Sequence, residues 1–393
     1  MAKLLLTRFL YIFDEVCISF LTSLLKKQDL GECYFWIAEL YLSGYYKQSW
    51  DLIWFIYYDF YYIHNPLFEE YLSKKHKEGV SLGGDNGIKA ILSAVKNMFK
   101  LVSSPEIFIT RQYNQLKEIT SLFRGKKPVW LSQYPCHYHA FLRYIDKKMY
   151  HFAVSCIPST INDELLQVVK SYFNVPDEDF TLLTSRIHCT DGNNEHGNNE
   201  NDAFEYDNQF HKFWSLVCLL SINPSWRENC KRKIYTSCTT EEHNKIMSHY
   251  NDPIPLSSKY NNKQIYKTLL YKRTYSITPL CSSFHLTRDS FENIYHELWY
   301  RWEYHAYPTP LWMNRFNQHK IIVDDDKQAI EFLDDDAMEE FYSQYGYEPD
   351  EQSVETQERG LYVIEENNWK HWYTTIFHDN PMVSYKDDFK FAY

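Results

Sequence analysis

Glycine is scarce in this sequence, 11 of 393 residues, under half the roughly 7% of an average chain. Folds that cradle phosphates or dinucleotides depend on glycine-rich turns, and neither G-x-G-x-x-G nor G-x-x-x-x-G-K-[ST] occurs here. The composition therefore argues against Rossmann and P-loop chemistry. No G-x-S-x-G elbow and no H-E-x-x-H helix is present. Paired cysteines are missing as well. The nine, at 17, 33, 136, 156, 189, 218, 230, 238 and 281, are scattered and odd in number, with no C-x-x-C among them. A disulfide framework needs dense pairs in a small secreted domain, so reduced thiols inside a cell are the expectation. Long apolar runs are lacking too. The best, 16–25 and 52–63, fall short of the ~20 residues that span a bilayer. The N-terminus opens like a signal peptide, with three Leu after Lys3. Arg8, Asp14 and Glu15 then interrupt it, and no small-residue cleavage site follows. A soluble, intracellular protein with no membrane span and no cofactor is expected.

What the chain has in excess is aromatic surface: 34 Tyr, 25 Phe and 11 Trp. With 44% apolar residues it can bury a sizeable core. Net charge is −11, unevenly spread, because residues 320–393 carry 19 acidic side chains against 6 basic. The near-neutral body lacks the clustered Lys and Arg that displace counterions from nucleic acid, so direct phosphate binding is not expected. The acidic segment reads as a solvated face, with docking on a basic protein partner as the functional alternative.

Periodicity predicts a mainly α fold of irregular stacked helical hairpins, with few or no strands. Leu4, Leu5, Phe9, Phe13, Val16, Phe20 and Leu24 recur at helical steps. Asp29 caps a second helix that Gly44 stops, and a third runs from Trp50 to Tyr62, before Pro66. A short polar helix over 67–78 precedes a loop at 79–87. Further helices are expected at 88–102, 106–122, 136–147, 148–157, 160–173, 207–221, 225–250, 286–305 and 326–344, with RGKKP at 124–128 a basic turn and 361–364 one short strand. The polar tract TDGNNEHGNNENDA at 190–203 cannot bury anything. The expected organisation is a helical-hairpin domain over 1–189, a flexible loop over 190–205, a second helical region over 206–320 and an acidic segment over 321–393.

Four groups could carry function. Asp324, Asp325, Asp326, Glu331, Asp334, Asp335 and Asp336 have the carboxylate density that holds Mg²⁺, with Asp324, Asp326, Asp334 and Asp336 the candidate ligands. They also fit the solvated side of a helix whose inward residues are Ile330, Leu333, Met338 and Phe341. Cys136, His137 and His139 form half a zinc site, without the second ligand pair that structural zinc needs. Cys230, Cys238, His243 and His249 are spaced too loosely for a finger. His296, Glu297, Arg301, Glu303 and His305 make the densest ionisable group, able to do acid–base work in a cleft or to form a satisfied polar network. The aromatic stripes Trp50/Trp54/Tyr57/Tyr61 and Trp299/Tyr300/Trp302/Tyr304 lie beside acidic rather than basic neighbours, which disfavours base stacking. Core packing fits them, and the alternative for Trp50, Trp54, Tyr57, Tyr61, Trp299 and Trp302 is a protein interface.

The segments WIAELYLSGYY (36–46), YYDFYYIHNP (57–66) and EEFYSQYGYEPDEQS (339–353) resemble helix-rich conserved proteins of nucleocytoplasmic large DNA viruses. The resemblance covers the first 150 residues and the acidic stretch, and implies no activity for any position. The expected function is that of a non-enzymatic scaffold or interaction protein, serving virus assembly or gene expression. The alternative is a divalent-metal-dependent nucleic-acid-processing enzyme built on the Asp clusters at 324–336.

Overall fold

A computed structural model describes residues 4–114, 129–158, 161–185, 187, 209–229, 234–250, 273–279, 294–345, 372 and 375–376. The protein is mainly α. In order, the helices are α1 (Phe13–Lys26), α2 (Leu30–Leu42), α3 (Tyr46–Ile56), α4 (Phe68–Leu82), α5 (Ile88–Met98), α6 (Glu106–Asn114), α7 (Cys136–Asp146), α8 (Tyr150–Val154), α9 (Asp163–Phe173), α10 (Asp177–Thr184), α11 (Gln209–Ile222), α12 (Trp226–Asn229), α13 (Thr240–Tyr250), α14 (Ile294–Tyr300), α15 (Trp302–Ala306), α16 (Pro310–Phe316) and α17 (Asp335–Tyr345). Strands β1 (Ile321–Asp324) and β2 (Ala329–Phe332) form an antiparallel pair. The expected loop at 190–205, the basic turn at 124–128 and the strand at 361–364 lie outside the described residues.

Two compact units form, each from stretches distant in sequence. One takes Met1–Trp50, Lys74–Phe99 and Thr236–Ile376, the other Asp51–Ser73 and Lys100–Tyr235. Composition did not mark this division, because hydrophobic burial is indifferent to chain order.

In the first unit the expected helix from Leu4 begins only at Phe13. Residues 4–12 instead fold back on themselves: Leu6 bridges Ile12, and Leu10 sits at φ 60°. Leu4, Leu6, Leu10 and Ile12 gain burial against Trp302, Trp312, Phe316 and Phe341, and that apolar contact outweighs helical continuity. Asp29 caps α2 as expected, its carboxylate accepting the Gly31 N–H at 2.7 Å. Gly44 (φ 90°) follows the end of that helix.

The expected loop at 79–87 is largely helix. α4 continues through Gly79, which lacks the Cβ that would meet the Trp50 ring at 2.8 Å, and Gly83 and Gly84 then turn the chain at positive φ. Gly87 is tighter still. A Cβ would overlap the Tyr41 hydroxyl and lie 2.5 Å from the Gly79 carbonyl oxygen. Gly87→Ala is therefore expected to destabilise this unit by about 1–3 kcal/mol, the usual cost of overpacking, measurable as a lowered urea midpoint with unchanged m-value. The expected single helix over 225–250 is divided. Asn97 exchanges two hydrogen bonds with the Thr236 backbone (3.0 and 2.8 Å), and Ser93 Oγ accepts the Cys238 N–H, which holds 234–239 out of helix.

The expected helix over 326–344 is likewise shortened to α17. Upstream, the register Ile321↔Phe332 and Val323↔Ile330 turns alternate apolar residues inward, a period of two that suits strands. Asp334 Oδ1 accepts the Ala337 N–H at 2.6 Å and starts α17. Ile321, Ile330 and Phe332 pack against the Trp302/Trp312/Phe316/Phe341 cluster. Residues 321–345 are thus part of this unit's core rather than an appended tail.

In the second unit, α6 packs on α8 and α11, and α7 on α8 and α9. Asn162 caps α9 through the Leu165 N–H (2.9 Å). After α3 the helix widens into one π turn over Tyr57–Tyr61 and tightens into a 3₁₀ turn that ends before Pro66.

Candidate functional site

The acidic module is built on α14–α17 and the β1–β2 hairpin. Asp324 accepts the backbone N–H of Lys327 (2.9 Å), and the Lys327 ammonium lies between Asp324 (3.1 Å) and Glu331 (2.7 Å). The Lys327 amide bond, followed by its ammonium, holds the Asp324 carboxyl below the ordinary carboxylate range, and Glu331 and Asp324 push the lysine up. Asp325 accepts from Tyr304 Oη (2.9 Å). Asp334 is spent as a helix cap. Asp324 and Asp334 thus have structural partners of their own. They sit apart on a turn and a helix start, and among the described residues no group of three or more His, Cys, Asp or Glu is placed to hold a metal ion.

Beside them, Glu297 is gripped from two sides. His305 Nε2 stands 2.9 Å from Oε2, and Arg301 Nη1 donates to Oε1 (3.2 Å) while also reaching Gln328 (2.9 Å). Glu303 accepts from Tyr342 Oη (2.6 Å). With the His305 side chain wholly buried, this group ties the helices to the hairpin and to α17. It is a polar network that links these elements.

The hairpin's outer face differs from its inner one. Ile322 is 49% exposed and stands opposite Glu331; Leu333, one residue beyond β2, is 59% exposed. Leu333 donates its N–H to the Lys320 carbonyl, so the two apolar side chains are diagonal neighbours on one face. Met338 on α17 is also 39% exposed. Asp326, Asp335, Asp336 and Glu339, in the same stretch of chain, are exposed as well.

Of the six aromatics considered for an interface, Trp50, Trp54, Tyr57, Tyr61 and Trp302 are buried and serve the core. Trp50 stacks on His76 (4.8 Å) and Trp302 meets Trp312 edge to face (4.9 Å). The interface reading is corrected for these five, since helical-period stripes are what apolar packing selects. Trp299 alone is part-exposed, at 39%. Cys136, His137 and His139 start α7, where Cys136 is exposed, His139 is buried and the His137 ring lies against Tyr138 (4.4 Å). Among the described residues they belong to no group of three or more metal ligands. Cys238 is buried and donates to the Thr239 carbonyl; Cys230 lies outside the described residues.

Two buried ionisable centres had no sequence signature. In the second unit Asp59, on the π turn and wholly buried, accepts from Arg111 Nε (2.8 Å) and Nη2 (2.6 Å), and His211 Nε2 stands 2.8 Å away. Burial opposes ionisation, but Arg111 and His211 outweigh it and hold Asp59 at about 2. His211 is itself pushed below its ordinary value, by burial first and then by Arg111. In the first unit Glu39 is wholly buried on α2 and accepts the Phe9 N–H at 2.8 Å. The partners lie 52 and 152 residues from Asp59 and 30 from Glu39, beyond any local pattern.

No described helix is long and apolar enough to cross a membrane. Comparison of the chain with protein-family models, with curated proteins and with solved structures finds no match.

Proposed function

We propose that the protein is a non-enzymatic helical scaffold whose hairpin-and-α17 face docks a basic, amphipathic protein segment. The observation that carries this reading is the pairing of exposed Ile322, Leu333 and Met338 with exposed carboxylates at Asp326, Asp335, Asp336 and Glu339. Exposed apolar side chains beside exposed carboxylates in one stretch suit a partner with the opposite charge and an apolar face. Elsewhere Asp59 and Glu297 each hold a cation. As part of the same proposal, such a scaffold would serve virus assembly or gene expression, the setting that the sequence resemblance implies.

Removing 320–393 would strip Phe332 and Phe341 from the core, so the test uses surface substitutions. Full-length protein, wild type and Ile322→Ser/Leu333→Ser, is titrated by calorimetry with a 14-residue Leu/Lys amphipathic peptide and with its Ser/Lys counterpart. The reading expects the Leu/Lys peptide to bind wild type at least about 5-fold more tightly than either control pairing, a difference of about 1 kcal/mol. Equal affinities would overturn it. Asp335→Lys/Asp336→Lys/Glu339→Lys should weaken binding further, with a shallower salt dependence.

A further inference from the structure

Six backbone groups of residues 6–11 are held by side chains from elsewhere in the first unit. Ser43 Oγ accepts the Arg8 N–H (2.7 Å), and Glu39 Oε1 accepts the Phe9 N–H (2.8 Å). Tyr45 Oη donates to the Leu6 carbonyl (2.7 Å) and Trp312 Nε1 to the Arg8 carbonyl (3.0 Å). Arg273 Nε and Nη2 donate to the Phe9 and Leu10 carbonyls, both at 2.7 Å. Three separate segments, 39–45, Arg273 and Trp312, thus converge on one hairpin that has little secondary structure of its own. Among these clamps Glu39 is the only acid, and it has no exposure to water. Its Oε2 accepts no hydrogen bond of good geometry, although the Thr7 and Tyr250 hydroxyls lie within electrostatic reach.

We infer that Glu39 is a proton switch for the N-terminal hairpin, which stays clamped while the carboxyl is protonated and loosens when it ionises. A neutral carboxyl can accept the Phe9 N–H without carrying charge into the core, whereas the carboxylate must be desolvated. The nearby cations donate to carbonyls rather than to Glu39, so their charges offset its burial only in part. Arg8 Nη2 donates to the Tyr250 carbonyl and Arg273 to Phe9 and Leu10. The other titratable groups facing the site are Tyr250, Tyr45 and Tyr11, whose hydroxyls donate to carbonyls, and His249, whose ring meets Phe9 and Phe35. Behind Tyr45 stand Asp14 and Cys17. Burial raises the Glu39 carboxyl to about 7 from an ordinary 4.5, against the opposing pull of Thr7, the Phe9 amide, Arg8 and Arg273. A folded value above the unfolded one means that the clamp is strongest below the unfolded value and weakens as pH rises towards 7.

The test is amide hydrogen exchange of the full-length chain, corrected for intrinsic chemistry, following Thr7, Leu10 and Phe13, whose N–H groups close the hairpin. In wild type the opening constant should rise about 30-fold between pH 5 and pH 7 and level off above. Glu39→Gln, which keeps the neutral shape, should be flat over that range. An equal rise in both proteins would assign the effect to His249 or to global unfolding and overturn the inference, as would a flat wild type. The carboxyl carbon of Glu39, observed by NMR in wild type, gives a reading that does not depend on the variant. A titration midpoint below pH 5 would also overturn it.

Discussion

Asp59→Ala is expected to lower the stability of the second unit by about 3–5 kcal/mol, because it leaves the Arg111 and His211 side chains facing each other without an anion. The Asp59 carboxylate has no exposure, and the Arg111 side chain has 17%, so water can replace little of what is lost. Urea unfolding followed by tryptophan fluorescence reads the loss, since Trp214 donates to Thr110 one residue from Arg111. Asp59→Ala with Arg111→Met should cost less than the two single substitutions added together, the signature of a direct pair. A loss under about 1 kcal/mol for Asp59→Ala would show that the cluster is solvated. The pH dependence follows from the same contacts. Asp59 titrates at about 2 in the fold and near 3.8 unfolded, so its contribution is present above pH 4 and disappears as pH falls towards 2. His211 is depressed relative to its unfolded value of 6.5, and for a base that sign means stability is lost as pH falls below 6.5. Acid therefore weakens this unit in two steps, the first involving histidine alone.

Trp312→Ala should cost the first unit about 3–5 kcal/mol, as expected for emptying a buried tryptophan site. Trp312 is completely buried between Trp302 and Phe316, with Arg315 over its ring at 4.7 Å. Its Nε1 also carries the Arg8 carbonyl, which truncation would leave without a donor. The expected fall in melting temperature is on the order of 10 °C. Trp312→Phe should recover part of the packing but not the hydrogen bond, and hydrogen exchange at Thr7 and Leu10 should rise even so. If Trp312→Phe leaves those amides as protected as in wild type, the bond to Arg8 contributes nothing to the clamp.

The helices whose pattern was local were legible in advance. α2 has its Asp29 cap and Gly44 end, and α5 and α11 have unbroken apolar periods. Where the pattern failed, a distant partner had overridden it. Leu4 to Ile12 have helical spacing but are drawn to Trp302 and Trp312, some 300 residues away. Ile330, Leu333, Met338 and Phe341 have helical spacing, yet Ile330 pairs in a strand and packs inward with Phe332. The acidic excess of the candidate docking face was visible in the sequence. That Ile322 and Leu333 flank one another on the outside of a hairpin was not, because cross-strand neighbours depend on register.

By itself, the sequence determined that the chain is mainly helical, rich in buried aromatics and poor in phosphate-binding turns, because those properties follow from composition and from contacts three or four residues apart. Only the tertiary structure decided which charges are buried. Asp59 meets Arg111 and His211, and Glu39 meets the backbone of Phe9. The cost of burying a charge depends on the dielectric and the partners that folding brings to it, and no spacing along the chain encodes either one.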